Sequence, residues 1–328
     1  IPKKEAGAEL SDHINIPECV KPAIQEALCT LDLTRAHLPG VIPSLLAESR
    51  ERYRWPCIEQ PTSSHVILVW HIATSLCEIK FAQDRDIDLS NPGVPLRALL
   101  YLTSFCRSAQ PYLVDENMLD GSLKTRYIVA NSLSRYCAYL VVSKPDLIPD
   151  SFLVPKIVFR KTVESARDRF LKNCDSLESR YKKLKNKAEK PIKDSEKEDV
   201  LKQGAVLGKE LLNLPTDEAR WKILAGVWTE LLIHIAPTWN AQAHRKCLSG
   251  GEFITHIWAL LWHYGIQNSS LWPNEVAPAA PQNNGVGSEN NMDETGQACA
   301  GISNNQIEIN VHGRDEIKGA QEHETRNS

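Results

Sequence analysis

No Cys-x-x-Cys occurs in this chain, and the closest two of its nine cysteines, Cys19 and Cys29, lie ten residues apart. That spacing excludes a zinc ribbon or a dithiol redox motif, and an odd, scattered set is no disulfide framework. The cysteines read as buried free thiols of a reducing compartment. Long apolar runs are missing as well. Val66–Leu76 and Phe253–Trp262 are the longest, are interrupted by His71 and His256, and reach only about half of the ~20 residues needed to cross a bilayer. No membrane-spanning helix is expected from them. No signal peptide opens the chain, and a first residue of Ile1 rather than Met reads as a truncated start. Catalytic signatures are absent too: there is no Gly-x-Ser-x-Gly elbow, no Gly-x-Gly-x-x-Gly and no His-Glu-x-x-His.

Period-two alternation is nearly absent. One short stretch, Gln306–His312, shows it, inside a segment too polar to support a strand. That segment, 273–328, has no aromatic residue, nine asparagines and six glycines. Its nine acidic residues against three basic ones leave it at −6. Such a composition buries too little apolar surface to offset chain entropy, so an acidic, disordered tail is expected. The whole chain carries −3, so the body before the tail sits near +3, too little to imply nucleic acid.

What is present is helical. With 42% hydrophobic residues in 328, a sizeable core is available. Val66, Val69, Trp70, Ala73, Cys77 and Phe81 recur at helical spacing and predict a buried helix over Ser63–Ala82. Asn91, Pro92 and Gly93 mark a loop over Asp84–Pro95. Further helices are predicted over Leu96–Ala109, Ser122–Ser143, Ile157–Lys187, Val200–Leu214, Asp217–Ile235 and Gly250–Tyr264. The fold class is therefore all-α, an irregular multi-helix bundle with a disordered C-terminal tail. Its parts are a partly helical 1–60, a helical region 61–190 ending in a long basic helix, a charged hinge 191–199 around Pro191, and a Trp-rich helical domain 200–272. Six of the eight tryptophans fall between Trp221 and Trp272.

Several motifs resemble chemistry. Gly204-Ala-Val-Leu-Gly208-Lys209-Glu210 approaches a phosphate loop, but only three residues separate its glycines, and Glu210 stands where a magnesium-binding hydroxyl belongs. Leu248-Ser-Gly-Gly-Glu252 looks like an ATPase signature loop. The stronger reading is a capping box, Ser249 at the N-cap and Glu252 three residues on, before the apolar run from Phe253, with Gly265 closing the helix. Asp84-x-Asp86-x-Asp88 fails as a calcium loop because Leu89 and Pro95 occupy the glycine and glutamate positions. His234, His244, Cys247, His256 and His263 are the only candidate metal ligands of weight. His256 and His263 stand two turns apart, too far for one ion, and His244-x2-Cys247 has no second half. His65, His71 and Cys77 form a sparser set. No cofactor is expected.

One stretch is strongly charged. Lys156–Lys193 holds thirteen basic and five acidic residues. Phe159, Val163, Ala166, Phe170, Cys174, Leu177, Tyr181 and Leu184 form a stripe along it. Either the stripe packs on its own domain and leaves a solvated basic back, or it meets a partner coiled coil or an anionic membrane surface. For the last, Lys172, Arg180, Lys182, Lys183, Lys185 and Lys187 are the candidate contacts.

Three segments, Ile67–Cys77, Leu133–Pro145 and Trp221–Gly265, resemble a plant family that carries domain of unknown function 594. Trp228-Thr-Glu230-Leu-Leu, Leu248-Ser-Gly-Gly-Glu252-Phe and Trp258 are the most specific matches, and together the segments span most of 61–265. The resemblance implies an all-helical cytosolic portion of a multi-pass membrane protein, here without its membrane-spanning part, and brings no catalytic residues. The expected function is a non-catalytic helical interaction or regulatory module with a protein partner, placed in the cytoplasm. The alternative is a metal-dependent enzyme built on the His/Cys set at 234–263.

Overall fold

The computed structural model describes residues 16–30, 37–38, 52–90, 112–170, 174, 176–192 and 199–269. Ile1–Pro278 forms one compact unit and Ala279–Ser328 a second. The second unit, the predicted helix over Leu96–Ala109 and most of the charged hinge lie outside the described residues. The fold is all-α. Its helices are α1 (Val20–Thr30), α2 (Trp55–Ile58), α3 (Ser63–Gln83), α4 (Gly121–Ser143), α5 (Val154–Glu164), α6 (Leu177–Ala188), α7 (Val200–Leu212), α8 (Asp217–Ile235), α9 (Ala241–Leu248) and α10 (Phe253–His263). Among the described residues, extended pairing is confined to two residues on each side, β1 (His37–Leu38) parallel to β2 (Asn268–Ser269).

Helix α3 is the axis of the core. Its apolar residues leave no polar stripe, and a helix that is hydrophobic all round must be covered on every side. It is: Val66 through Val69, Trp70, Ala73, Cys77, Ile79 and Phe81 are completely buried. The sequence reading of this run as too short for a membrane needs correcting. Over its full 21 residues α3 is long and apolar enough to cross one, and 89% of that apolar window is buried inside the protein. Its start is held from a distance. The Asp150 carboxylate accepts the Ser63 and Ser64 amides at 2.9 and 2.8 Å and the Ser64 hydroxyl, while Thr62 serves as N-cap. An anion there meets the positive end of the helix dipole and satisfies amides that no helical carbonyl reaches.

α7 lies against α3 at very short range. A Cβ added to Gly204 would stand 2.6 Å from Ile72 Cβ, and one on Gly208 would stand 2.8 Å from Leu76 Cδ1. The two glycines that imitate a phosphate loop are thus the flat face that lets two helix backbones approach. On the other side α4 packs along α8, and a ring cluster ties both to α3. Tyr127 lies edge-on to Trp221 at 4.8 Å, and Phe81 sits 5.2 Å from Tyr127 and 5.3 Å from Trp221. Trp228 of α8 donates its indole N–H to Thr74 of α3 at 2.9 Å. Helices from 61–190 and from 200–272 therefore share a single core.

The predicted helix over Ile157–Lys187 is two helices. After α5 the chain widens into a π-helical turn, Ser165–Phe170, and α6 begins anew at Ser176. Ser176 and Ser179 form a reciprocal capping box, each side chain accepting the other's backbone N–H at 3.2 and 3.3 Å. The local sequence Asn173-Cys-Asp-Ser176 favours such non-helical bonding over helix continuation. At the other end of α6, buried Lys202 of α7 donates to the carbonyls of Lys187 and Lys190, a cation placed on a helix C-terminus.

Candidate functional site

The five candidate metal ligands do not converge. His234 is fully buried in α8, and burial pushes its pKa down to about 4. His244 is buried between α9 and α10. Its Nε2 lies 3.0 Å from Thr238 Oγ1, its Nδ1 lies 3.3 Å from Thr255 Oγ1, and the Trp258 indole stacks on the ring at 4.6 Å and 2°. Both nitrogens are engaged and one face of the ring is covered by the indole, so no ligand position is open. Burial holds its pKa near 4. Cys247 is half-buried, and burial raises its thiol pKa. His256 and His263 face solvent on α10, with His256 Nδ1 3.1 Å from the Glu252 carbonyl oxygen. Among the described residues, no three His, Cys, Asp or Glu side chains are grouped to hold a metal ion.

The capping-box reading of Ser249 and Glu252 is wrong. Ser249 is the C-cap of α9, a helix the sequence reading missed because eight mostly polar residues make only about two turns, too short a window for a helical repeat to stand out. The chain turns through Gly251 at φ 69°, where Gly251 N–H donates to Leu248 O and Glu252 N–H to Cys247 O. This is a glycine-based helix stop. Glu252 is then the N-cap residue of α10, but its side chain makes no cap bond. It accepts instead from Tyr136 at 2.6 Å and Tyr139 at 3.4 Å, while Tyr136 Oη in turn accepts the Ile254 N–H at 2.9 Å. The motif is a three-way joint between α4, α9 and α10. The expected stop at Gly265 is present: at φ 77° its N–H donates to Trp262 O, and that of Ile266 to Leu261 O.

A buried polar centre lies where sequence reasoning placed nothing. Glu78 of α3 accepts from Arg135 Nη2 at 2.9 Å on both oxygens, from Tyr127 Oη at 2.9 Å and from the Leu113 N–H at 3.0 Å. Tyr127 Oη also accepts the Val114 N–H at 3.1 Å. His71, about two turns earlier on α3, meets Ser134 Oγ at 2.8 Å, and burial followed by the Arg135 charge depresses its pKa to about 3. Cys77, buried alongside, is pushed up to about 12 and is no nucleophile. The sequence offered only a hint, two charged residues, Glu78 and Arg135, inside helices otherwise expected to be buried, and nothing that paired them. Those charges must either pair or break the core.

The basic stretch keeps its cations and loses its free stripe. Leu177, Tyr181, Leu184 and Ala188 of α6 and Val158, Thr162 and Ala166 upstream are buried in the core, so among the described residues the α6 part of the stripe is not free for a partner coiled coil. Two proposed surface contacts turn inward: Arg180 is buried and donates to the Cys174 carbonyl, and Lys187 pairs with Asp199 at 3.0 Å. Lys182, Lys183 and Lys185 are exposed. Lys172 lies outside the described residues.

A second surface is apolar. Trp239 is 75% and Trp262 41% exposed, and Tyr264, Leu248 and Leu260 are also exposed. Trp258 lies between them, its N–H donated to the Thr238 carbonyl at 3.3 Å and its ring 5.4 Å from that of Trp262.

Comparison with known proteins bears on this C-terminal part. No curated protein and no solved structure matches the chain. Residues 214–266, which contain α8, α9 and α10 and the joint at Glu252, match the family described as "Protein of unknown function, DUF594", in support of the resemblance carried by those same motifs.

Proposed function

We propose that this protein is a non-catalytic helical module that makes reversible electrostatic contact with an anionic membrane surface through α5 and α6. The observation that carries the reading is the orientation of α6, whose apolar side is buried in the core while Lys182, Lys183 and Lys185 face water. Arg160, Lys161 and Arg167 add exposed cations on and just after α5. With the apolar side of α6 committed to the core, contact through that helix is by charge and not by insertion. Each cation near an anionic bilayer contributes about 1 kcal/mol, within a Debye length of roughly 8–10 Å at physiological salt. Support for a non-catalytic role comes from the candidate residues themselves, which are held by structural partners or stand apart. The resemblance adds the setting of a plant membrane protein with this portion on the cytosolic side, where the anionic leaflet lies.

Sedimentation with phosphatidylserine liposomes tests the reading. Binding is expected at low salt, falling steeply as salt rises, and is expected to be lost in a Lys182→Glu, Lys183→Glu, Lys185→Glu triple variant. Failure of the wild type to pellet at low salt, or equal binding to neutral liposomes, overturns it.

A further inference from the structure

The α9–α10 hairpin presents an aromatic shelf beside uncompensated positive charge. Three tryptophans mark the open end of the hairpin. Trp258 is fixed by its stack on His244 and its bond to Thr238 O, Trp262 leans on Trp258, and Trp239 follows Thr238 in the chain with three-quarters of its surface bare. The fixed pair has little rotamer freedom left to lose, which is the property of aromatic anchors in protein interfaces. Arg245 and Lys246 lie a little over one turn into α9, exposed, and neither is ion-paired among the described residues. Between Glu230 and Glu275 the sequence has one acid, Glu252, and its carboxylate is taken by Tyr136 and Tyr139. Asp146, exposed beside α9, is offset by Lys144 close by. The shelf is therefore apolar at one end and net positive at the other.

We propose that this shelf binds an acidic amphipathic segment of a protein partner. Its apolar residues would lie on Trp239 and Trp262, and its carboxylates would meet Arg245 and Lys246, a little over one turn along α9. A protein fits better than a bilayer here. Two cations give only about 2 kcal/mol against an anionic membrane, and Trp258 and Trp262 lie against each other, partly buried, rather than projecting as a wedge. Charge at the rim selects the sign of the partner and aligns it, while the aromatic end supplies affinity. The surface is separate from α6 and does not depend on the membrane reading.

The test uses a labelled synthetic helix of about 18 residues, with Leu and Phe on one face of its first two turns and Glu in the next two, and a twin with Lys in place of Glu. Fluorescence anisotropy with the full chain at low salt is expected to show the Glu peptide binding at least tenfold more tightly than the Lys peptide. Trp239→Ala, an exposed change that leaves the melting temperature in place, is expected to weaken it several-fold. Arg245→Glu with Lys246→Glu is expected to reverse the preference between the two peptides, while the α6 triple variant binds the Glu peptide as wild type does. Equal affinity for the two peptides, or no binding of either, overturns the proposal. So does phosphatidylserine liposome binding that disappears with Trp239→Ala, which would give the shelf to lipid.

Discussion

Arg135 Nη2 reaches both carboxylate oxygens of Glu78 at 2.9 Å, with the two side chains 10% and 3% exposed. The guanidinium also lies over the Tyr112 ring at 5.1 Å. The pair bridges α3 and α4 inside the core, and Tyr127 Oη and the Leu113 N–H complete the shell around the carboxylate. Such a pair need not be a large net stabiliser, but losing one member strands the other without water.

Arg135→Met is accordingly expected to cost about 3–5 kcal/mol of unfolding free energy, while Glu78→Leu combined with Arg135→Met recovers most of that loss. Urea denaturation of the single and double variants measures both. A single variant as stable as wild type would show that the pair is solvated.

Gly204→Ala should destabilise by about 1–3 kcal/mol even though alanine is the better helix former, because the new methyl group meets Ile72 Cβ at 2.6 Å, near the stem of its side chain. Gly208→Ala should cost less, since its closest neighbour is the end of the Leu76 side chain, which can rotate. Thermal unfolding of both variants ranks them, and a reversed ranking would mean that the two helices are not packed as described.

Ser249→Ala is expected to leave stability within about 0.5 kcal/mol, as a C-cap side chain with no described bond should. Gly251→Ala, forced to φ 69°, should cost about 1–2 kcal/mol. A loss at Ser249 larger than at Gly251 would restore the capping-box reading.

How far these residues could be read in advance follows from what each signal depends on. α3, α4, α7 and α8 were readable because long apolar periodicity needs no knowledge of the partner, and α8 agrees residue for residue over Asp217–Ile235. The break between α5 and α6 hides inside a stripe that keeps its period across it, so only the capping pair at Ser176 betrays it. Ser249 and Glu252 satisfy a capping pattern in sequence, but Glu252 has a better bond in Tyr136, which is 116 residues away. The His/Cys set showed composition without geometry. The Glu78 centre was illegible for the same reason, because partners 57 residues apart in sequence meet only when α3 and α4 pack.

The buried histidines give the protein an acid limit. His71, His234 and His244 have folded pKa values near 3, 4 and 4, against about 6.5 unfolded. Between these values the unfolded chain binds protons that the folded chain refuses. Stability is therefore complete above about pH 6.5 and falls as pH drops toward 4, by up to about 1.4 kcal/mol per pH unit for each histidine. Urea unfolding at pH 4.5, 5.5, 6.5 and 7.5 should show this slope, and His234→Leu should remove about a third of it. A flat profile below pH 6.5 would mean that these side chains take up protons in place.

Helix α3 also carries a burden during synthesis. Its 21 residues emerge long before Val200–Leu212, the helix whose glycines lie flat against it, and before Asp150, which holds its first amides. At 5–20 residues per second, roughly ten seconds pass with an apolar helix of membrane-spanning length outside the ribosome and the face that α7 will cover still bare. A nascent chain in that state presents the hydrophobic signal that targeting factors and chaperones compete for.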